Sequence, residues 1–340
     1  MNETTDQTPG RAVPTINDVA RAAGVSRTTV SRVINGGRSV AETKLVAVRG
    51  AIERLGYRPN LAARGLVTRR LDCVAVIVPE ANERVFSDPF FAQAHLGALS
   101  AFADTPVQVV LVIPHPNDEG SRMVRYLHSG HVDGAIVMSH HGHGLAESLL
   151  ASSPPVVFVG PPGVDGCPYV DLDNIGGGRM ATRHLIERGA TRLATVTGPL
   201  DMGSGVHRLR GFEQACAEAG LQPLGIEEGD YSTPGGVAAT QRLLETCPDI
   251  DGIFVANDLM AAGAIRVLAH SGRRVPGDVR VVGFDDSIIA TQTYPTLTTM
   301  TNGAAELARR AGQMLLRLLD GERPDFPVIL PSSLIQRDSA

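Results

Sequence analysis

Residues 24–36 read GVSRTTVSRVING. Gly24 suits the left-handed conformation that ends a helix, and Ser26 suits the N-cap of the next one. Val30, Val33 and Ile34 share one helical face, which leaves Arg27, Thr28, Ser31 and Arg32 on the other. Upstream, Thr15-Ile16-Asn17-Asp18 has the form of a capping box. It opens a helix over 16–23 whose apolar face is Ile16, Val19, Ala20 and Ala23. Two short helices about a glycine turn make a helix-turn-helix, and in that motif the second helix enters the DNA major groove. A third helix over 41–55 closes the small core with Leu45, Val48, Ile52 and Leu55. An αα-hairpin without a DNA role fits the same spacing, so charge is the next test.

The chain has 340 residues and a formal net charge of −5. That total hides an asymmetry. Residues 1–70 hold 12 Lys and Arg against 5 Asp and Glu, a balance of +7, and the remainder stands at −12. A basic arm on an acidic body fits a nucleic-acid module tied to a domain with other business. Hydrophobic residues make up 43% of the chain and aromatics only 4%, with no Trp, so the cores must be built of Val, Leu, Ile and Ala. No apolar run reaches the ~18 residues of a membrane span. The polar start, residues 1–13, is expected to be a disordered tail without a signal peptide, and the protein is expected in the cytoplasm. Cys73, Cys167, Cys216 and Cys247 share no metal-type spacing and are expected as reduced thiols. Neither a cofactor nor a metal is expected.

TINDVARAAGVSRTTVSRVING (15–36) and LGYRPNLAARGL (55–66) resemble the DNA-binding headpiece of the lactose repressor/galactose repressor (LacI/GalR) family. The resemblance implies that Arg27 and Thr28 read bases with support from Arg32. It also implies that Ser26, Thr29, Ser31 and Asn35 grip phosphates, and it adds Tyr57, Asn60, Ala63 and Arg64 to the DNA contact. An Arg pairs bidentately with guanine, whereas a hydroxyl discriminates little. Residues 58–70 read as a basic linker from the residues alone. By resemblance they form a hinge helix in the minor groove, with Leu66 levering a base step apart. Two positions depart from the family pattern: Ala41 stands where a Ser or Thr caps the third helix, and Lys44 stands where Thr is usual. Gly50 further weakens that helix.

From Cys73 onward, apolar runs alternate with helical stretches. Strands are expected over 73–78, 107–113, 134–138 and 156–159, then over 193–197, 252–255 and 279–283. Helices are expected over 91–102, 177–188, 208–219, 235–244 and 259–269. Nearly continuous Val/Ile runs imply parallel sheets buried on both faces. The resemblance continues through Asp88-Pro89-Phe90-Phe91, DLDN (171–174), RLRGF (208–212), VANDLMAAGAIRVL (255–268) and VPGDVRVVGFDDS (275–287). It implies an all-α headpiece followed by an α/β core like the periplasmic sugar-binding proteins, with two doubly wound parallel-sheet lobes. Effector-contacting positions of the family map to Asp88, Phe90, Asp171, Arg208, Asn257 and Asp285. Phe90 and Tyr294 offer apolar faces to a sugar ring. Asp171 or Asp285 as loop caps, and Phe90 as core, remain alternatives.

In Ser139-His140-His141-Gly142-His143-Gly144 the three histidines are read as a polar cleft loop, with His141 meeting the effector, rather than as a metal site. Gly176-Gly177-Gly178 lacks a P-loop lysine and reads as a helix entry. The expected domains are a tail over 1–13, a headpiece over 14–57, a hinge over 58–70 and a core over 71–340. Within the core, the N-lobe is expected over about 71–171 and 300–325, and the C-lobe over about 172–299 and 326–340. The function expected is a repressor that binds a pseudopalindromic operator as a homodimer, under control of a small metabolite, most simply a sugar. Two rivals use the same cleft. A carrier protein would lack the headpiece, and an α/β enzyme would need a catalytic set for which His207 is the best candidate.

Overall fold

The computed structural model describes residues 14–34, 40–57, 70–114, 121–150 and 154–340. Internal contacts divide the chain into two units, one ending at Leu71 and the other running from Asp72 to Ala340. The expected tail over 1–13 and all of the expected hinge except Arg70 lie outside the described residues.

The first unit contains α1 (Ile16–Ala23), α2 (Arg27–Ile34) and α3 (Glu42–Leu55). Thr15 Oγ1 accepts from the Asp18 amide (3.4 Å), and the Asp18 carboxylate accepts from the Thr15 amide (2.9 Å). This capping box satisfies donors that a helix start leaves open. Gly24 ends α1 at φ +65°, a conformation that costs other residues strain. The core is small, consisting of Val19, Ala20, Val30, Val48 and Ala51. Ile52 and Leu55 pack against it as expected, but Leu45 is only half-buried and does not join it. Ala41 precedes α3 without any side-chain cap.

The second unit has two parallel sheets. One contains β1 (Cys73–Ile77), β2 (Gln108–Val112), β3 (Gly134–Met138), β4 (Val156–Val159), β5 (Tyr169–Leu172) and β11 (Val328–Leu330), in the order β11-β5-β4-β3-β1-β2. The other contains β6 (Leu193–Thr197), β7 (Gly225–Glu228), β8 (Gly252–Val255) and β9 (Arg280–Val282), in the order β7-β6-β8-β9. Every residue of β3 and β6 is buried, as strands covered by helices on both faces must be. Val74 and Val76 face the cluster containing α4 (Asn82–Ser87), α5 (Pro89–Ala101) and α13 (Ala304–Leu319). Ala75 and Ile77 face the cluster containing α6 (Ser121–His128) and α7 (Gly144–Leu150). This alternation is the period-2 geometry of a strand.

The C-lobe sheet lies between two helix pairs: α8 (Asn174–Glu187) with α9 (Gly203–Glu218), and α10 (Thr233–Thr246) with α11 (Asp258–His270), the short α12 (Ile288–Gln292) joining the second pair's cluster through Ala290. The glycines at 176–178 open α8 under an Asp173 cap, as a helix entry should. They also let α9 approach. A Cβ on Gly178 would stand 2.4 Å from the Arg208 carbonyl, and one on Gly211 would stand 2.2 Å from the Ile175 carbonyl.

The chain crosses between the lobes after β5, after β10 (Thr299–Met300) and before β12 (Leu334–Ile335). Thr298 and Thr301 still bridge to Val282 and Asp285 of the C-lobe, and β10 and β12 pair antiparallel. One expected lobe boundary is corrected. Val328–Leu330 pairs in parallel with Val170–Leu172, so the N-lobe sheet extends to residue 330 rather than ending at 325. β5 would otherwise be an edge with open hydrogen bonds, and β11 closes it. No described helix is long and apolar enough to cross a membrane.

Candidate reading helix and ligand cleft

In the first unit, the complete burial of Val30 fixes how α2 faces. Arg27, Thr28 and Arg32 are exposed as a result, and Ser31 is half-buried. The Ser26 hydroxyl lies 3.0 Å from that of Thr28 and 2.9 Å from that of Thr29, and it accepts from the Thr29 amide (3.2 Å). These hydroxyls therefore gather at the helix start, where open amides favour an anion. Tyr57 packs half-buried against the headpiece core. Asn35, Asn60, Ala63, Arg64 and Leu66 lie outside the described residues.

In the second unit, a cavity with about 680 Å³ of empty space opens between the two lobes. It lies beyond the carboxyl ends of the strands, where open α/β sheets bind ligands. Asp88, Phe90, Asp171, Arg208, Asn257 and Asp285 all line it.

Arg208 is the hub. Its Nε donates to Asn174 Oδ1 (2.8 Å), and its Nη1 donates to the Ala256 carbonyl (2.6 Å) and to Asp285 Oδ1 (3.4 Å). The guanidinium carbon stands 3.7 Å from the centroid of the Phe284 ring. Asn174 donates onward to Asp171 Oδ1 (3.0 Å), and Asn302 donates to Asp285 Oδ1 (2.7 Å). One hydrogen-bonded chain therefore runs from the N-lobe carboxylate Asp171 to the crossover residue Asn302.

Burial raises the Asp171 carboxyl to about 7, against the opposing effects of the Leu172 amide, Arg208 and Asn174. Burial likewise raises Asp285, partly offset by Arg208. Asp285 sits at φ +113°, a region that disfavours side chains and recurs at ligand sites. Asp88 and Asn257 combine two tasks. Asp88 caps α5 through the Phe90 amide (2.9 Å), Asn257 caps α11 through the Met260 amide (2.9 Å), and both face the cavity.

Two expectations are relocated. Tyr294 is 96% exposed and stands away from the cavity, and Tyr231 provides the aromatic wall in its place. Tyr231 is buried, its hydroxyl lies 2.9 Å from that of Ser204, and Arg84 and Arg208 stand over its ring at 5.3 and 5.9 Å. His141 does not line the cavity. It lies between Glu80 and Asp201 at the mouth, while its neighbour His140 is buried and lines the wall. Sequence reasoning missed Arg84, Asn174, Tyr231 and Asn302. Asn174 stood at the end of the DLDN stretch and Asn302 at a crossover, whereas Arg84, within the helix Asn82–Ser87, and Tyr231, in a loop, carried no such signal. No group of three or more His, Cys, Asp or Glu among the described residues could hold a metal. His207 Nδ1 is 4.0 Å from Asp171 Oδ2.

Residues 15–60 match the model for bacterial regulatory proteins of the lacI family, and residues 182–340 match that for a periplasmic binding protein-like domain. The HTH-type transcriptional regulator CelR of Thermobifida fusca is 44% identical over 336 residues, covering 97% of this chain and 99% of that protein. The chain belongs to the LacI family. The transcriptional repressor PurR of Edwardsiella ictaluri (strain 93-146) is 34% identical, with 96% of each chain covered. Two solved structures extend the likeness. A CelR–cellobiose complex shares 42% identity at a TM-score of 0.75, covering 96% of this chain and all of that one. A lac repressor dimer bound to operator and the anti-inducer ONPF shares 28% identity at a TM-score of 0.85, covering 96% of this chain and 98% of that one. This LacI-family chain is a DNA-binding transcriptional regulator rather than an enzyme.

Proposed function

We propose that an uncharged, hydroxyl-rich sugar of the cellobiose class occupies the interlobe cleft and controls how tightly a homodimer holds its operator. The observation that carries this reading is the state of Arg208. Asn174, Ala256 and Asp285 already engage this buried guanidinium, while Asp88, Asp171 and Asp285 are among the residues that line the cavity. Carboxylates accept hydrogen bonds from hydroxyl pairs and repel anions. Phe90 and Tyr231 add aromatic surface for a sugar ring. The likeness to CelR, solved with cellobiose, points to the same class.

On the DNA side, Arg27 and Thr28 are assigned to bases with Arg32 in support, and Ser26, Thr29, Ser31 and Asn35 to phosphates. Tyr57, Asn60, Ala63, Arg64 and Leu66 complete the contact. Two-fold pairing of headpieces matches a pseudopalindromic operator, and the protein works in the cytoplasm, where that DNA is. The assigned domains are a headpiece over 14–57, a hinge over 58–70 and a core beyond.

Calorimetry and gel shifts test the proposal together. Cellobiose is expected to release heat on binding and to shift operator affinity, and glucose 6-phosphate to do neither. Heat from the phosphate with none from cellobiose or other disaccharides would overturn the sugar assignment. Failure to bind any pseudopalindrome near the protein's own gene would overturn the operator assignment.

A further inference from the structure

A single imidazole joins the lobes at the cleft mouth. His141 follows β3 in the N-lobe, and its Nε2 lies 3.2 Å from Glu80 Oε1, just beyond β1 of the same lobe. Its Nδ1 lies 2.9 and 3.0 Å from the two carboxylate oxygens of Asp201, which belongs to the C-lobe turn between β6 and α9. The Gly142 amide donates to the Asp201 carbonyl (2.8 Å), so the backbone fixes the same approach. Glu80 is nearly buried and is held in place by Arg84 (2.7 Å) and by the Ser139 hydroxyl.

The chemistry of this arrangement is restrictive. Ionised carboxylates only accept hydrogen bonds, so both ring nitrogens must donate. A ring that donates from both nitrogens is an imidazolium. A neutral ring would turn one lone pair toward a carboxylate and lose half of the bridge. Hydrogen bonding to Glu80 raises the His141 pKa, burial opposes it, and Asp201 adds to the rise. Burial works to raise Glu80, yet His141, Arg84 and Ser139 together hold it below its ordinary value. The other titratable groups nearby are His140, His143 and Asp88. Burial lowers His140, which favours its neutral form beside the bridge.

We propose that His141 is a positioning residue that clasps the two lobes when protonated, so that cleft closure and ligand affinity weaken as pH rises. The ligand half of this inference rests on the sugar reading given above, but the clasp itself does not. A ligand that touches both lobes favours the closed form, and by linkage the proton and the ligand then favour each other.

The test reads lobe separation directly in full-length, unliganded protein. Fluorophores are placed by amber suppression at exposed positions 147 in α7 and 245 in α10, one in each lobe. Energy transfer in the unsubstituted protein is expected to fall between about pH 6 and pH 8.5, and His141→Gln is expected to flatten that response. Asp201→Asn, on a half-exposed turn, is a second variant expected to reduce it. Cellobiose is the ligand probe. Its affinity in the unsubstituted protein is expected to weaken roughly three- to fivefold over that range, the scale of a partly exposed ion pair. Asp171 titrates in the same range in every variant, so the difference between unsubstituted and His141→Gln proteins is the decisive quantity. Identical pH responses in the two, or no response in either, would overturn the clasp. If neither cellobiose nor another disaccharide binds, the sugar reading falls and lobe separation still decides the clasp.

Discussion

Asp171 shows how far burial can move one carboxyl group, since it is carried to about 7 although Arg208 and Asn174 pull it down. A carboxyl raised in the folded state binds more protons than its unfolded counterpart between about pH 4 and 7. The stability it contributes is full below about pH 4 and is lost as pH rises through 7. Asp258 is raised in the same direction, by burial and by the neighbouring Asp285, and adds to the slope. Denaturant unfolding is therefore expected to show a loss on the order of 2 kcal/mol between roughly pH 5 and pH 8. Asp171→Asn keeps an acceptor for Asn174 and should remove part of that slope. A slope unchanged in the variant would assign the effect elsewhere. At this scale the sequence was legible where a residue belonged to a motif, as at Asp88, Arg208 and Asp285. Tyr231 lies in a loop before the Ser232 cap of α10, with no apolar pattern to mark it. Tyr294 was misread because Leu297, fully buried three residues on, is the one that anchors that segment.

Among the elements, helix contacts without side chains set the tightest tolerances. Gly178 lets α8 rest on the backbone of α9 at Arg208 itself. Gly178→Ala is expected to destabilise the core by about 1–3 kcal/mol through overpacking. Because the clash falls on the Arg208 carbonyl, it should also weaken cleft binding, and calorimetry alongside thermal unfolding would separate the two effects. The opposite change is available in α3. Ala41 has extended backbone angles and supplies no cap, so Ala41→Ser is expected to add about 0.5–2 kcal/mol to headpiece stability. Hydrogen exchange of the α3 amides would measure it.

The elements the sequence disclosed were those with continuous apolar runs, such as β3 and β4. β7 stayed hidden because Gly225–Glu228 is a sheet edge with alternating exposure and no such run. β11 is three residues long and half-exposed, and only its pairing with β5 gives it a lobe.

Charge and chain path matter most at the scale of the whole molecule. The excess of seven positive charges over residues 1–70 stands against twelve negative ones beyond. Operator binding should therefore fall steeply with salt, as counterion release requires. On that background Arg27→Ala is expected to cost about 1–3 kcal/mol on the preferred operator and to relax one base position in each half-site. Gel shifts against operator variants at fixed salt would show it, and an equal loss on every sequence would reassign Arg27 to phosphate.

The pairing of β11 with β5 also sets an order in time. A chain emerging from the ribosome folds from its N-terminal end. The headpiece, complete by residue 57, can form while the rest is still being made. The N-lobe cannot, because its last strand is translated only after all of β6 to β10. The part with the reading helix is thus finished first, and the cleft that governs it is finished last.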